Sequence, residues 1–180
     1  MTSELIDTHL HTWDLERGDY PWLGPESGIL YRTYAVDEVD AARREAGVDG
    51  AILVQAANNR RDTELMLESM ARHPWILGVV GWVDLIAGRE ALAAATELKS
   101  TGRVLGIRHL IHNEPDPDWI IQPAVLDGLR ALADVGLAYD VVSVLPKHLA
   151  HVATLADAVP DLTLVIDHLS KPPIASGDLR

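Results

Sequence analysis

The chain has 180 residues and contains neither cysteine nor phenylalanine. Without thiols it cannot form a disulfide, a thiolate zinc site or a cysteine nucleophile. Any transition-metal site would have to be built from histidine and carboxylate ligands.

Basic residues are also scarce, with 15 lysines and arginines against 27 aspartates and glutamates and a formal charge of −12. Such acidity argues against a nucleic acid or an anionic membrane as the partner. The apolar runs are too short to span a bilayer, and no basic segment precedes the first of them. We therefore expect a cytoplasmic protein.

Six short apolar runs alternate along the chain with five helical patterns. Strict alternation of this kind predicts a parallel sheet with right-handed crossovers, in one domain over residues 1–180. The predicted strands are 5–9, 50–55, 76–83, 104–110, 138–144 and 163–166, and the predicted helices are 37–46, 62–73, 88–100, 123–135 and 146–158.

Polar side chains interrupt the apolar runs mainly where the predicted strands end. In parallel α/β proteins this carboxyl edge of the sheet is where ligands bind. The pattern therefore predicts a site at this edge. The residues concerned are His9, Gln55, Arg108, His109, Asp167 and His168.

Neither glycine-rich nucleotide fingerprint is present, which disfavours the open nucleotide-binding sheets. The favoured alternative is a (β/α)8 barrel of the TIM type, which typically takes ~250 residues. We therefore expect a barrel truncated after its sixth strand, with the last two βα units missing. Open edges beside the first and sixth strands could then support a homo-oligomer.

The spacing His9-Leu10-His11 places two imidazoles on one face of an extended strand, about 6.5 Å apart along it. Two such rings can converge on one ion or on one polar atom of a substrate, although the spacing alone is weak evidence. A long loop rich in aromatic residues follows and predicts a binding loop. Its Trp13, Tyr20 and Trp22 could equally stack on a sugar or plug the barrel mouth.

Four segments together resemble the amidohydrolase superfamily, and within it the sugar lactonase branch. This branch includes L-fuconolactonase, L-rhamnonolactonase and 2-pyrone-4,6-dicarboxylate lactonase. The segments lie in the family's order along essentially the whole chain. They are Ile6-Asp-Thr-His-Leu-His-Thr-Trp-Asp14, Asp19-Tyr-Pro-Trp22, Gly106-Ile-Arg-His109 and Leu164-Val-Ile-Asp-His-Leu-Ser-Lys-Pro172.

The resemblance implies a hydrolase in which water attacks the ring carbonyl of a sugar-acid or carboxylated lactone. It implies that His9, His11 and His168 are catalytic residues and, if a metal is bound, its ligands, the ion being zinc or manganese. A metal-independent site, in which the histidines donate directly to the oxyanion, is the other possibility. Family members carry a further aspartate in a Gly-Ser-Asp-Trp-Pro-like segment, which is absent here, and Asp178 lies in a different context.

Seven further residues are predicted to contact the substrate. For Arg108 the alternative is a structural ion pair. Asp167, the residue before His168, is expected to orient a neighbour or to cap. His148 and His151 fall in a helix and are expected at the surface or as caps. The substrate-binding set is Trp13, Trp22, Gln55, Trp82, Arg108, His109 and Lys171.

Two other functions fit the same residues. One is a metal-dependent decarboxylase of the same superfamily, which also uses a first-strand His-x-His pair. The other is a catalytically inactive barrel fragment that binds ligand or associates through its open edge.

Overall fold

Strands and helices alternate along the computed structural model, which describes residues 4–177. The chain divides after Trp82 into two compact units. Each unit contains three parallel strands in chain order. The α/β class and the alternation predicted from the sequence are therefore confirmed.

The three strands of the first unit pair in parallel, and β2 and β3 are largely buried whereas β1 is partly exposed. Its core is formed by side chains from both strands and helices, including Leu53, Met66 and Val79. The elements are β1 (Ile6–Leu10), α1 (Val36–Glu45), β2 (Gly50–Val54), α2 (Arg60–Arg72) and β3 (Ile76–Gly81).

The second unit repeats this alternation with three strands and three helices. Leu129, Leu132 and Tyr139 are fully enclosed between its helices and strands. The elements are α3 (Arg89–Ser100), β4 (Val104–His109), α4 (Pro123–Val135), β5 (Ala138–Val141), α5 (Pro146–Ala158) and β6 (Leu164–Ile166).

Local sequence signals fix several helix ends. Pro123 occupies the first turn of α4, and Gly136 ends that helix with a φ of 70°, as expected for a left-handed glycine cap. Asp37 does not cap α1, because it lies in the first turn and Ala35 takes the cap position. The α2 helix begins two residues before the predicted start, since the side chain of Asn59 accepts a hydrogen bond from the Asp62 amide.

Short 3-10 helices follow several strands and occupy the aromatic loop. That loop is closed at its base by a two-residue antiparallel bridge between Trp13 and Tyr34. Within residues 4–177, none of the helices has the length and apolar character needed to cross a membrane. The 3-10 segments are Pro25–Leu30, Ile111–Asn113, Trp119–Ile121, Asp167–Ser170 and Ile174–Ser176.

Candidate functional site

His9 and His11 lie close together at the carboxyl end of β1. Their Nε2 atoms are 3.1 Å apart, and the two rings meet edge to face. Both side chains are partly exposed. The strand geometry predicted from the His-x-His spacing thus brings both Nε2 atoms to one point.

A backbone carbonyl fixes the ring of His11. Its Nδ1 lies 2.8 Å from the carbonyl oxygen of Val54 in β2. A carbonyl only accepts, so Nδ1 carries the proton and the Nε2 of the neutral ring presents its lone pair. Metal-binding histidines are commonly held in this way by an outer acceptor.

The donor atoms suit a zinc-like ion. Two nitrogens of a tetrahedral zinc site lie about 3.3 Å apart, given Zn–N bonds of about 2.0–2.1 Å. The observed separation of 3.1 Å is close to this value. Because cysteine is absent, a zinc site in this chain would use imidazole and carboxylate ligands.

The aromatic loop forms a wall beside the end of β2. Trp22 donates its indole N–H to the carbonyl of Ala56 at 2.7 Å, and Trp13 donates to that of Arg32 at 2.7 Å. The two indoles pack edge to face with ring centroids 5.5 Å apart. Since their polar N–H groups are bonded within the protein, the exposed ring surface of Trp22 offers an apolar contact.

Asp62 anchors the base of this loop. Its buried carboxylate accepts the hydroxyl of Tyr20 at 2.9 Å and the amides of Ala56 and Ala57 at 2.7 and 3.2 Å. The pKa of Tyr20 is raised, first by burial and then by this carboxylate. Tyr20 therefore has a structural role in this loop, which agrees with the second of its two predicted roles and not with stacking on a sugar.

A cavity of about 70 Å³ lies under the loop, between α1 and α2. Its lining includes Trp13, Tyr34, Arg72 and His73 but neither histidine of the pair. A volume this small admits a few water molecules rather than a sugar. The cavity is therefore distinct from the histidine site.

In the second unit, His168 lies two residues after the end of β6 and is exposed. Partial burial lowers the pKa of its imidazole, which favours the neutral ring. From His168 to Lys171 the backbone is left-handed, with φ values of 51°, 52°, 61° and 47°. Non-glycine residues rarely adopt this conformation, and strain of this kind concentrates at functional sites.

Arg108 is buried at the end of β4, with its Nη1 2.9 Å from Oδ2 of Asp167. Asp140 of β5 is in register with Arg108, and Asp140 is buried like Asp167. Burial, followed by the neighbouring Asp167 carboxylate, raises the pKa of Asp140 to about 7. Arg108 therefore forms an ion pair with Asp167, which is one of its two predicted roles, while its contact with substrate stays a prediction.

His109 is buried and stacked on Trp119, with ring centroids 4.1 Å apart. Its Nε2 lies 2.7 Å from Oε1 of Glu114. Burial lowers the pKa of His109 more than Glu114 raises it. Contacts with Trp119 and Glu114, both in the second unit, therefore fix the position of the His109 ring.

The other predicted substrate contacts each come after the end of a strand. Gln55 is fully buried after β2, where its Nε2 lies 3.4 Å from Oδ1 of Asn58. Trp82 follows β3 and donates its backbone N–H to Thr63 at 2.9 Å. Lys171 is exposed in the turn after His168. Its backbone N–H donates to the backbone carbonyl of His168 at 3.0 Å.

Neither the buried Asp140 nor the burial of His151 was predicted from the sequence. Asp140 could have been found, because it is a lone carboxylate within an apolar strand. His151, predicted at the surface or as a cap, is buried, with its Nε2 2.7 Å from Asp118, which also accepts from Lys147 at 2.6 Å. His148 does act as a cap, because its Nδ1 accepts from the amides at the start of α5.

Comparison with known proteins agrees with this chemistry. The amidohydrolase family model matches residues 6–180. The chain belongs to the amidohydrolase family. Within this family, L-fucono-1,5-lactonase of Burkholderia ambifaria is 33% identical over 172 residues, covering 96% of this chain and 59% of the relative.

A second L-fucono-1,5-lactonase, from Burkholderia multivorans, is 33% identical over 174 residues, covering 96% of this chain and 58% of the relative. A crystal structure of an amidohydrolase from Burkholderia multivorans with bound zinc is similar, with a TM-score of 0.82 and 29% identity. That match covers 96% of this chain and 60% of the solved one. This chain therefore spans about three-fifths of the length of these relatives.

The likeness in structure confirms the predicted fold class. Six strands with their helices, all within residues 4–177, correspond to part of a TIM-barrel-type amidohydrolase.

Proposed function

We propose that this chain provides the histidine site of a lactonase that opens a sugar-acid lactone. The observation that carries the proposal is the 3.1 Å approach of Nε2 of His9 to Nε2 of His11, with His11 fixed by a backbone carbonyl. The two L-fucono-1,5-lactonase relatives support this substrate class.

We propose zinc as the ion, with His9, His11 and His168 as its ligands. His168 is included because it follows β6 within a segment that resembles the family and because its lowered pKa favours the neutral ring. Such a ring can ligate a metal or accept a proton. When bound, a zinc ion polarises a carbonyl oxygen or lowers the pKa of a water molecule.

The reaction breaks the ester bond of the ring. Water loses a proton and attacks the carbonyl carbon, the carbon–oxygen bond of the ring breaks, and the departing alkoxide gains a proton. Trp13 and Trp22 are proposed to pack against the apolar face of the sugar, while exposed Lys171 suits a substrate oxygen. The remaining proposed contacts with the substrate are those of Gln55, Trp82, Arg108 and His109.

A pH-indicator assay with L-fucono-1,5-lactone tests the proposal. Acid release is expected from the zinc-supplemented protein and not from its His9→Ala variant. His73→Ala is the matched control, since His73 lies at the end of α2 and pairs with Asp37. Release of carbon dioxide from a carboxylated aromatic acid, with no lactone hydrolysis, would instead support the decarboxylase.

The location and assembly of the protein remain predictions. A cytoplasmic protein that acts on a small carbohydrate-derived molecule is expected to bind neither nucleic acid nor membrane. Association of copies through the outer edges of β1 and β6 is tested by light scattering over a range of protein concentrations. A folded monomer at all concentrations would exclude this association.

A further inference from the structure

The register between β1 and β2 contains one irregular step. Asp7 lies opposite Ala51. Three residues later, Leu10 lies opposite Leu53, which is only two residues further along β2. An extra residue in one strand of a pair is a β-bulge, and bulges occur often beside active sites, where they redirect a side chain. His9 lies within this segment, directly before Leu10.

The bulge determines which part of β2 the histidines meet. Since Leu10 is opposite Leu53, the next residue, His11, falls beside Val54. The observed contact agrees with this, because Nδ1 of His11 lies 2.8 Å from the carbonyl oxygen of Val54. If the register at Asp7 continued without an extra residue, Leu10 would lie beside Val54 instead. A shift of one residue exchanges the two faces of a strand, so the bulge decides where the histidine pair is presented.

Asp7, at which the regular register ends, holds the backbone of the bulge. Its Oδ1 accepts the backbone N–H of His9 at 3.0 Å. The acceptor is a carboxylate, and hydrogen bonds to charged groups are stronger than those between neutral groups. A bulge disturbs the ladder of hydrogen bonds between strands, so a local side-chain acceptor for an amide in this segment stabilises the bulged conformation.

We propose that Asp7 is a positioning residue, which fixes the bulge through the His9 amide and thereby directs the rings of His9 and His11 toward one point. The 3.1 Å separation of their Nε2 atoms is the geometry that this bond maintains. The inference rests on the proposed function, in which both histidines belong to the reactive site. Asp7 acts through the backbone and is not proposed to contact zinc or the substrate.

The test compares Asp7→Asn with Asp7→Ala in the full chain. The asparagine side chain retains an oxygen that accepts a hydrogen bond, whereas alanine has none. Asp49→Ala is the matched control, because Oδ2 of the exposed Asp49 accepts the backbone N–H of Leu5 at 2.8 Å, directly before β1. The control thus loses a bond of the same kind at the opposite end of the strand, away from the bulge.

Two of the readouts do not require turnover. The 15N-imidazole signals of His9 and His11 report the tautomer and surroundings of each ring. They are recorded with a chelator present and assigned with His9→Gln and His11→Gln. Competition with a chromophoric chelator gives the zinc affinity of each variant. The kcat and KM for the lactone are measured on the same proteins.

The asparagine variant and the control are expected to retain the wild-type imidazole signals and a zinc affinity within about threefold, as is usual for surface substitutions. The alanine variant should shift or broaden the signals of both histidines. It should also weaken zinc binding and lower kcat about tenfold each, since changes outside the metal ligands typically cost roughly 10–100-fold. If alanine prevents folding, Asp7→Val supplies an acceptor-free side chain suited to a strand.

Unchanged imidazole signals in a folded acceptor-free variant would overturn the inference. An asparagine variant that behaves like alanine would also overturn it, because the effect would then come from the charge of Asp7. So would a control that shifts the signals as strongly. Altered signals and weakened zinc binding would uphold the positioning role even if the wild-type protein hydrolyses no lactone, a result that would reject the proposed function alone.

Discussion

The Nδ1 of His11 and the carbonyl oxygen of Val54 are 2.8 Å apart, which joins the end of β1 to the end of β2. The acceptor belongs to the backbone of a buried strand, so it does not depend on any side chain. His11 is therefore held with its Nε2 directed toward His9. This arrangement is made before a ligand arrives and lowers the cost of binding one.

Removal of either histidine is expected to abolish tight zinc binding. His9→Ala and His11→Ala should each weaken the zinc affinity at least about 100-fold, since even outer-shell changes cost roughly 10–100-fold. Competition with a chromophoric chelator measures the affinity. His73→Ala should retain the wild-type value, and wild-type affinity in both site variants would contradict the assignment of these ligands.

Loss of the Tyr20 hydroxyl should loosen the aromatic loop. In Tyr20→Phe, Asp62 retains two amide donors but loses the bond of 2.9 Å from Tyr20. A hydrogen bond to a charged group contributes about 1.5–3 kcal/mol, so we expect a loss near the lower end of this range. Urea unfolding measures the change.

Tyr31→Phe is the control for that substitution, because Tyr31 is 47% exposed and belongs to the same loop. It should change the free energy of unfolding by less than about 0.5 kcal/mol. Equal effects of the two substitutions would show that the Tyr20–Asp62 bond does not stabilise the loop.

Gly128 allows α4 to approach the backbone of Leu85. A Cβ at this glycine would lie 2.2 Å from the Leu85 carbonyl oxygen. Although alanine is favoured over glycine within a helix by about 1 kcal/mol, Gly128→Ala should destabilise the protein, since overpacking costs about 1–3 kcal/mol. Increased stability in urea would show that the helix can move away without cost.

The order of elements could be predicted from the sequence because each strand is a separate apolar run and each helix has its own boundary signals. That His9 and His11 lie side by side could be predicted too, since residues two apart on an extended segment face the same way. These features are local, and a local pattern is enough to specify them.

The partners of buried polar groups could not be predicted in the same way. Arg108 and Asp167 are 59 residues apart, and their ion pair depends on how β4, β5 and β6 align. The left-handed run from His168 also has no local signal, since none of its residues is glycine. Both features arise from tertiary structure, which overrides the intrinsic preferences of the residues.

The carboxyl group of Asp140 should make the protein less stable at high pH. Its pKa is about 7 in the folded state against an ordinary value of 3.8, so the folded state retains a proton that the unfolded state has released between these values. Stability therefore falls as the pH rises from about 4 to 7, and the full penalty applies above pH 7. Asp140→Asn removes it and should be more stable than wild type at pH 8, by at most about 4 kcal/mol. At pH 4 the free energies of unfolding of the two proteins should differ much less.

Urea unfolding at both pH values, with a chelator present, measures this difference in stability. Asp127→Asn is the control that corrects for the loss of one formal charge. A difference that does not change with pH would show that Asp140 ionises normally in the folded protein.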